Sequence, residues 1–280
     1  MRYGISVPNF GDYGNTENLI RLARTAETAG WDAVFLWDHI QIGHWAGDVL
    51  DPWVAMTAIA AVTKELIVGP MVTPLPRRRP TKLAREAVTL DHFSGGRLIL
   101  GVGIGWPPDI DFGNFGDAAD DRTRGAQLDE GLEVLAGLWT GETFNHAGEH
   151  YTVVDARFRP TPLQQPRIPI WVGGMWPHRP AFRRAARWDG VYPIVVDENY
   201  DFAPMTPATF RDILMYVSEH RQADTPFDAA AGGSLIDESD AAGCVAPWAE
   251  AGATWWIESA PFPRRPVEEF LSYVAAGPPR

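Results

Sequence analysis

The sequence has one cysteine, Cys244, which excludes an internal disulfide framework and any metal site built from several cysteines. Basic charge is also scarce: 24 Lys and Arg stand against 36 Asp and Glu, a formal net charge of −12, with a sequence pI near 5.0. A protein whose main partner is nucleic acid needs a basic footprint, so this balance argues against that class. No run approaches the ~20 apolar residues of a membrane span, and the start MRYGISVPNF has no basic segment leading into an apolar one. The expectation is a cytoplasmic protein with no membrane partner. None of the 7 histidines falls in an HxH or HExxH spacing, and there is no Gly-x-Ser-x-Gly elbow. No metal ligands are therefore assigned. What is plentiful is tryptophan, with 12 in 280 residues, an investment in large amphipathic rings whose placement should be informative.

Short β-branched runs alternate with helix-period segments, the pattern of repeated βα units and a parallel sheet. Strands are predicted at Arg2 to Val7, Ala33 to Trp37, Leu66 to Val72, Arg97 to Val102, Ile168 to Val172, Gly190 to Ile194, Phe227 to Ala231 and Thr254 to Glu258. Helices open at about Thr16, at the cap pairs Asp51-Pro52 and Thr206-Pro207, and at Pro80, with Gly30 and Gly95 as stops. A polar insertion rich in Asp and Gly follows strand four. A hairpin over 142–154 precedes strand five, and the last helix starts at Pro266. Eight alternating units predict an α/β protein, a (β/α)8 TIM barrel forming a single domain over 1–280.

Active sites in this fold sit at the C-terminal ends of the strands, which directs attention to the residues just after each one. Asp38-His39 places an imidazole and a carboxylate together after strand two, able to handle a proton near neutral pH; a loop histidine bound to nearby backbone is the plainer reading. Gly173-Gly174-Met175-Trp176 lies between a strand and a helix and offers either a phosphate seat or a tight turn needing positive φ. Gly101-Val102-Gly103-Ile104-Gly105 is a weaker dinucleotide signal, because no ribose-binding acid follows at the proper distance. Arg77-Arg78-Arg79, after strand three, would attract a phosphorylated or polycarboxylated ligand, or is solvated surface. Arg179, Arg183 and Arg184 pose the same choice. A His39, Asp38, Glu258 metal cluster has no supporting spacing, and Cys244 reads as a small buried side chain.

The residues from Ala29-Gly30-Trp31-Asp32 through Trp37-Asp38-His39, with Asp51-Pro52-Trp53, Pro80, Thr89-Leu90-Asp91, Ser94-Gly95-Gly96-Arg97, Leu100 to Gly103 and Pro166 to Gly174, resemble in order and spacing the bacterial-luciferase-like flavin and F420-dependent oxidoreductases. The resemblance covers nearly the whole chain and implies a (β/α)8 barrel with a noncovalent cofactor, FMN or coenzyme F420, held across its mouth. It implies a bulge with a non-prolyl cis peptide at Met71-Val72 beside the ring, and a phosphate near Gly173, Gly174 and Met175. His39, with Asp38, would stand near the reactive carbon and substrate. Gly103, Gly105, Trp106 and Trp176 join the cofactor-binding set by position, and Trp37 and Trp45 the substrate pocket. Three departures stand out. Trp106 occupies a position that is acidic in the sugar-phosphate dehydrogenases of the family; the nearest tryptophan after His39 is Trp45, later than in those enzymes; and Gln127 replaces an arginine ahead of Asp129-Glu130.

The resulting expectation is an oxidoreductase acting on a small, partly apolar organic substrate, by oxygenation with reduced FMN or by hydride transfer with F420. The arginines and the Asp-His pair lean toward F420, and His39 would handle the proton. A separate flavin or F420 reductase and a homodimer through barrel-flanking helices are the partners implied. The alternatives are a non-catalytic flavin-binding barrel and a metal-assisted TIM-barrel lyase. By this reading Trp37, Trp45, Trp106 and Trp176 wall the pocket, and the other tryptophans serve packing.

Overall fold

The computed structural model describes residues 1–260 and 265–280. In chain order the elements are β1 (Arg2–Val7), α1 (Thr16–Ala29), β2 (Ala33–Leu36), α2 (Pro52–Val62), β3 (Ile67–Pro70), β4 (Thr73–Pro74), α3 (Pro80–Ser94), β5 (Leu100–Gly103), α4 (Pro108–Asp111) and α5 (Asp121–Trp139). There follow β6 (Thr143–Ala147), β7 (Thr152–Arg157), β8 (Ile170–Trp176), α6 (Arg179–Ala185), β9 (Gly190–Val196), β10 (Phe202–Ala203), α7 (Pro207–His220), β11 (Asp228–Gly233), α8 (Ala241–Glu250), β12 (Trp255–Ser259) and α9 (Val267–Ala275).

The helix boundaries follow local chemistry. Asn15 accepts the Glu17 and Asn18 N–H groups at the start of α1, and Gly30 ends it at φ 86°. Asp51 caps α2 by accepting from Val54 N, with Pro52 in its first turn. Thr206 and Pro207 do the same for α7, and Gly95 closes α3 in the left-handed region. The parallel strands run in the order β3-β2-β1-β12-β11-β9-β8-β5-β4. Ile99 N donates to Val68 O (3.0 Å) and Val68 N to Arg97 O (3.0 Å), joining β3 to the β5 segment and completing the barrel. β3 and β4 are two pieces of one barrel position, separated by a cis peptide at Met71–Val72.

The lower barrel is plugged by rings. Phe35, Trp171 and Trp255 are fully buried, with centroids 5.6 Å apart for Phe35–Trp171 and 5.2 Å for Trp171–Trp255. Glycine opposite them is a packing requirement: a Cβ on Gly190 would lie 2.5 Å from Trp171. With that end filled, the C-terminal mouth is left for chemistry. The hairpin β6–β7 is tied to α5 through Glu130, which accepts from His146 Nε2 (3.0 Å), His150 N (2.9 Å) and Tyr151 N (2.6 Å).

Several strand ends shift by one to three residues from the sequence expectation, and two differences bear on the site. Strand three is not continuous to Val72. Strand five does not stop at Val172: β8 continues to Trp176, with Gly173, Gly174, Met175 and Trp176 paired to Tyr192, Pro193, Ile194 and Val195. Neither Gly173 nor Gly174 has positive φ, so the tight-turn reading falls. They are glycines because neighbours press on the strand, with a Cβ on Gly174 reaching Ala181 at 2.6 Å. Among the described residues no helix is long and apolar enough to cross a membrane.

Candidate active site at the barrel mouth

The loop after β2 carries Asp38 and His39, and the two side chains diverge. Asp38, 3% exposed, accepts from Thr73 Oγ1 (2.8 Å), from Arg77 Nη2 (2.8 Å) and from Arg78 Nη2 (2.9 Å). Thr73 in turn accepts from Trp53 Nε1 (3.0 Å). Buried charge of this kind persists because each member is paired. Asp38 is thus the anchor of the loop after β4, not the carboxylate that acts on the neighbouring imidazole. Arg77 and Arg78 are spent inside this network, which removes them as binders of an anionic ligand. Arg79 alone of the three is exposed.

The partner of His39 is Asp111, at the end of α4 in the insertion after β5. His39 Nδ1 lies 3.1 Å from Asp111 Oδ2, and Asp111 Oδ1 accepts the N–H groups of Ile40 (2.8 Å) and Gln41 (3.0 Å). Arg77 pairs with the same carboxylate. Burial would push the Asp111 carboxyl up, but the bonds from His39 and Gln41 N and the Arg77 charge hold it below its ordinary range. Asn9, fully buried, fixes the backbone of His39 by donating to its carbonyl (2.9 Å) and accepting from its N–H (3.3 Å). Around the imidazole stand Phe10 at 5.9 Å and Trp37 at 6.2 Å between centroids. Trp45 stacks edge-on against Phe10 (5.8 Å). Trp37 donates to Ser6 Oγ (3.0 Å).

Small residues surround the bulge. A Cβ on Gly103 or Gly173 would come within 2.7 or 2.9 Å of the Val72 side chain, so the adjoining strands offer bare backbone beside one valine. The Val72 side chain fills the space over both glycines. Gly105 has φ 84°, and its carbonyl accepts from Arg124 (2.8 Å), a 1% exposed arginine that also binds Ile104 O (3.0 Å). Trp106, 37% exposed, meets the 65% exposed Phe202 edge-on at 5.7 Å. Trp176 points the other way, into the helix layer, against Phe182 and Tyr216 (5.3 and 6.1 Å). The Arg179 guanidinium lies 3.8 Å from the Trp176 ring and 4.4 Å from Tyr216, and Arg183 donates to Tyr216 Oη (3.1 Å). Neither arginine makes an ion pair among the described residues.

The pattern of the luciferase-like monooxygenase family matches residues 1–201. The chain belongs to that family. An F420-dependent glucose-6-phosphate dehydrogenase of Nakamurella multipartita is 33% identical over 230 residues, covering 76% of this chain and 59% of that protein. The chain spans between 43% and 63% of the length of curated relatives it matches. Solved structures share the fold. The coenzyme F420-dependent tetrahydromethanopterin reductase of Methanopyrus kandleri is 17% identical, with a TM-score of 0.73 over 98% of this chain and 97% of that one. Monooxygenase RslO1 of Streptomyces bottropensis is 19% identical, with a TM-score of 0.74 over 98% and 96%.

Within this luciferase-like barrel the structure gathers some expected site residues and scatters others. His39, Trp37 and Trp45 share one cluster through Phe10, and Met71–Val72 carries the cis peptide. Gly103 and Gly173 flank Val72, while Gly174 and Trp176 face the helices, because side chains alternate along β8. Glu258, fully buried, binds Leu235 N (2.7 Å) and Trp256 Nε1 (3.1 Å) and does not join His39. Among the described residues no group of three or more His, Cys, Asp and Glu could hold a metal. Arg184 is bound to Asp129 (2.9 and 2.8 Å), and Cys244 is half-buried near Glu238, not enclosed. Sequence reasoning missed Asp111 and Arg124. Asp111 lies 72 residues from His39 and Arg124 about 20 from the carbonyls it binds, and each is one of several like residues in an Asp-rich insertion, so no sequence signal singles it out.

Proposed function

We propose that the protein is an oxidoreductase using a noncovalent F420-type deazaflavin or FMN, with F420 favoured, on a small, partly apolar organic substrate. The observation that carries this reading is His39, set on the rim with Nδ1 against a buried carboxylate and Nε2 with no hydrogen-bond partner among the described residues. That is the arrangement of a group able to take or give one proton. In this reading a planar ring lies against the Val72 bulge, with Met71 beneath it and Met175 at its edge. When bound, the cofactor supplies the hydride or oxygen chemistry. The protein orients that ring, excludes water with Phe10, Trp37 and Trp45, and moves the proton at His39 Nε2. Neutralisation of an anionic tail falls to Arg179 and Arg183, since Arg77 and Arg78 are paired internally. F420-dependent relatives support the F420 lean.

Oxygenation with reduced FMN, fed by a separate reductase, is the second reading, supported by the fold shared with RslO1. Trp106 with Phe202 makes an apolar wall where the sugar-phosphate enzymes have an acid, which favours an apolar substrate over a sugar phosphate. Residues 1–280 form one catalytic barrel domain working in the cytoplasm. The exposed side of α2, with Val54 72% exposed, suits a homodimer; sedimentation should give twice the chain mass, and a monomer would refute that pairing. His39→Ala should lower turnover by ~10²–10⁴-fold while cofactor affinity stays within a few-fold. Unchanged turnover removes His39 from the mechanism.

A further inference from the structure

We propose that Asp111 is a positioning residue that locks His39 in the tautomer carrying its proton on Nδ1, leaving the Nε2 lone pair to the substrate. The α4 insertion thereby becomes part of the catalytic apparatus. The use of this device rests on the oxidoreductase reading; its geometry does not.

Asp111 is fully buried, and its carboxylate cannot swing away. Oδ1 is held by two consecutive backbone N–H groups, Ile40 at 2.8 Å and Gln41 at 3.0 Å, which leaves Oδ2 facing His39 Nδ1 at 3.1 Å. An ionised carboxylate only accepts hydrogen bonds, so the ring nitrogen facing it must carry a proton. Ionisation is secured by Arg77, whose guanidinium bridges Asp111 and Asp38. Flipping the imidazole would put a carbon against Oδ2 and forfeit a charge-assisted bond. Meanwhile Asn9 fixes the backbone on either side of the His39 Cα, so the ring has little freedom to seek another partner. Charged groups near the pair are Arg77, Arg78 and Asp38, and Asp38 is turned to the arginines. The site thus does through a side chain of the insertion what the dipeptide Asp38-His39 suggests is done by a sequence neighbour.

The test is long-range ¹H–¹⁵N correlation spectroscopy on histidine-labelled, cofactor-free protein in mildly alkaline buffer, with His39 assigned by the signal lost in His39→Gln. Wild type should show the Nδ1–H tautomer, and an Nε2–H tautomer overturns the proposal. In Asp111→Asn the population should move toward Nε2–H. Turnover with cofactor should fall at least ~10-fold in kcat with little change in KM. An unchanged tautomer in a folded Asp111→Asn also overturns the proposal, and should that variant not fold, the wild-type spectrum still decides. Failure here counts against Asp111 alone, whereas a protein binding neither F420 nor FMN counts against the oxidoreductase reading alone.

Discussion

Two buried carboxyls at the barrel rim illustrate how identical chemistry is driven in opposite directions by its surroundings. Asp111 is held below its ordinary range despite burial, through His39, Arg77 and backbone donors. Its contribution to stability is present above the unfolded carboxylate value, ~4, and is lost as pH falls through the lower folded value. Glu258 is raised, chiefly by burial, against bonds from Leu235 N and Trp256 Nε1. Its stabilisation is complete below the unfolded value, ~4, and fades as pH rises through the folded one. Urea unfolding of Glu258→Gln between pH 4 and 8 should therefore show the variant gaining on wild type as pH rises, then levelling; a pH-independent difference would remove Glu258 as a titrating group. Only part of this was legible in the sequence. The presence of Asp38 and His39 after a strand could be read, but which carboxylate meets the imidazole depends on where an insertion far along the chain is folded back.

At the level of elements, local signals served well where the controlling interaction is local. The caps at Asp51 and Thr206 and the stops at Gly30 and Gly95 mark helices because each acts within a turn. Glycine misled at 173–174, where it answers to side chains from another strand and a helix, not to its own backbone. Gly174→Val is the direct check: with a Cβ already 2.6 Å from Ala181, overpacking should cost ~1–3 kcal/mol in denaturant unfolding. A neutral result would mean that α6 can move away from β8 freely. The same logic explains the tryptophans. Trp176 was placed at the mouth by sequence position, yet strand alternation turns it outward, while Trp53, assigned to packing, donates into the Asp38 network.

The molecule as a whole joins a plugged barrel floor to a mouth where the Val72 bulge, small residues on the adjoining strands and a rim histidine are presented. The architecture was readable because eight βα units announce themselves by periodicity, and the family resemblance supplied the bulge at Met71–Val72. The ion-pair network that organises the mouth was not, since Arg77 and Arg78 look like free positive charge until Asp38 and Asp111 are seen against them. Whether this mouth holds a deazaflavin or flavin is decided by parallel titration with F420 and FMN followed by tryptophan fluorescence. Saturable quenching by F420, stronger than by FMN and reduced at high salt, is the predicted result; no saturable binding of either cofactor would contradict the account.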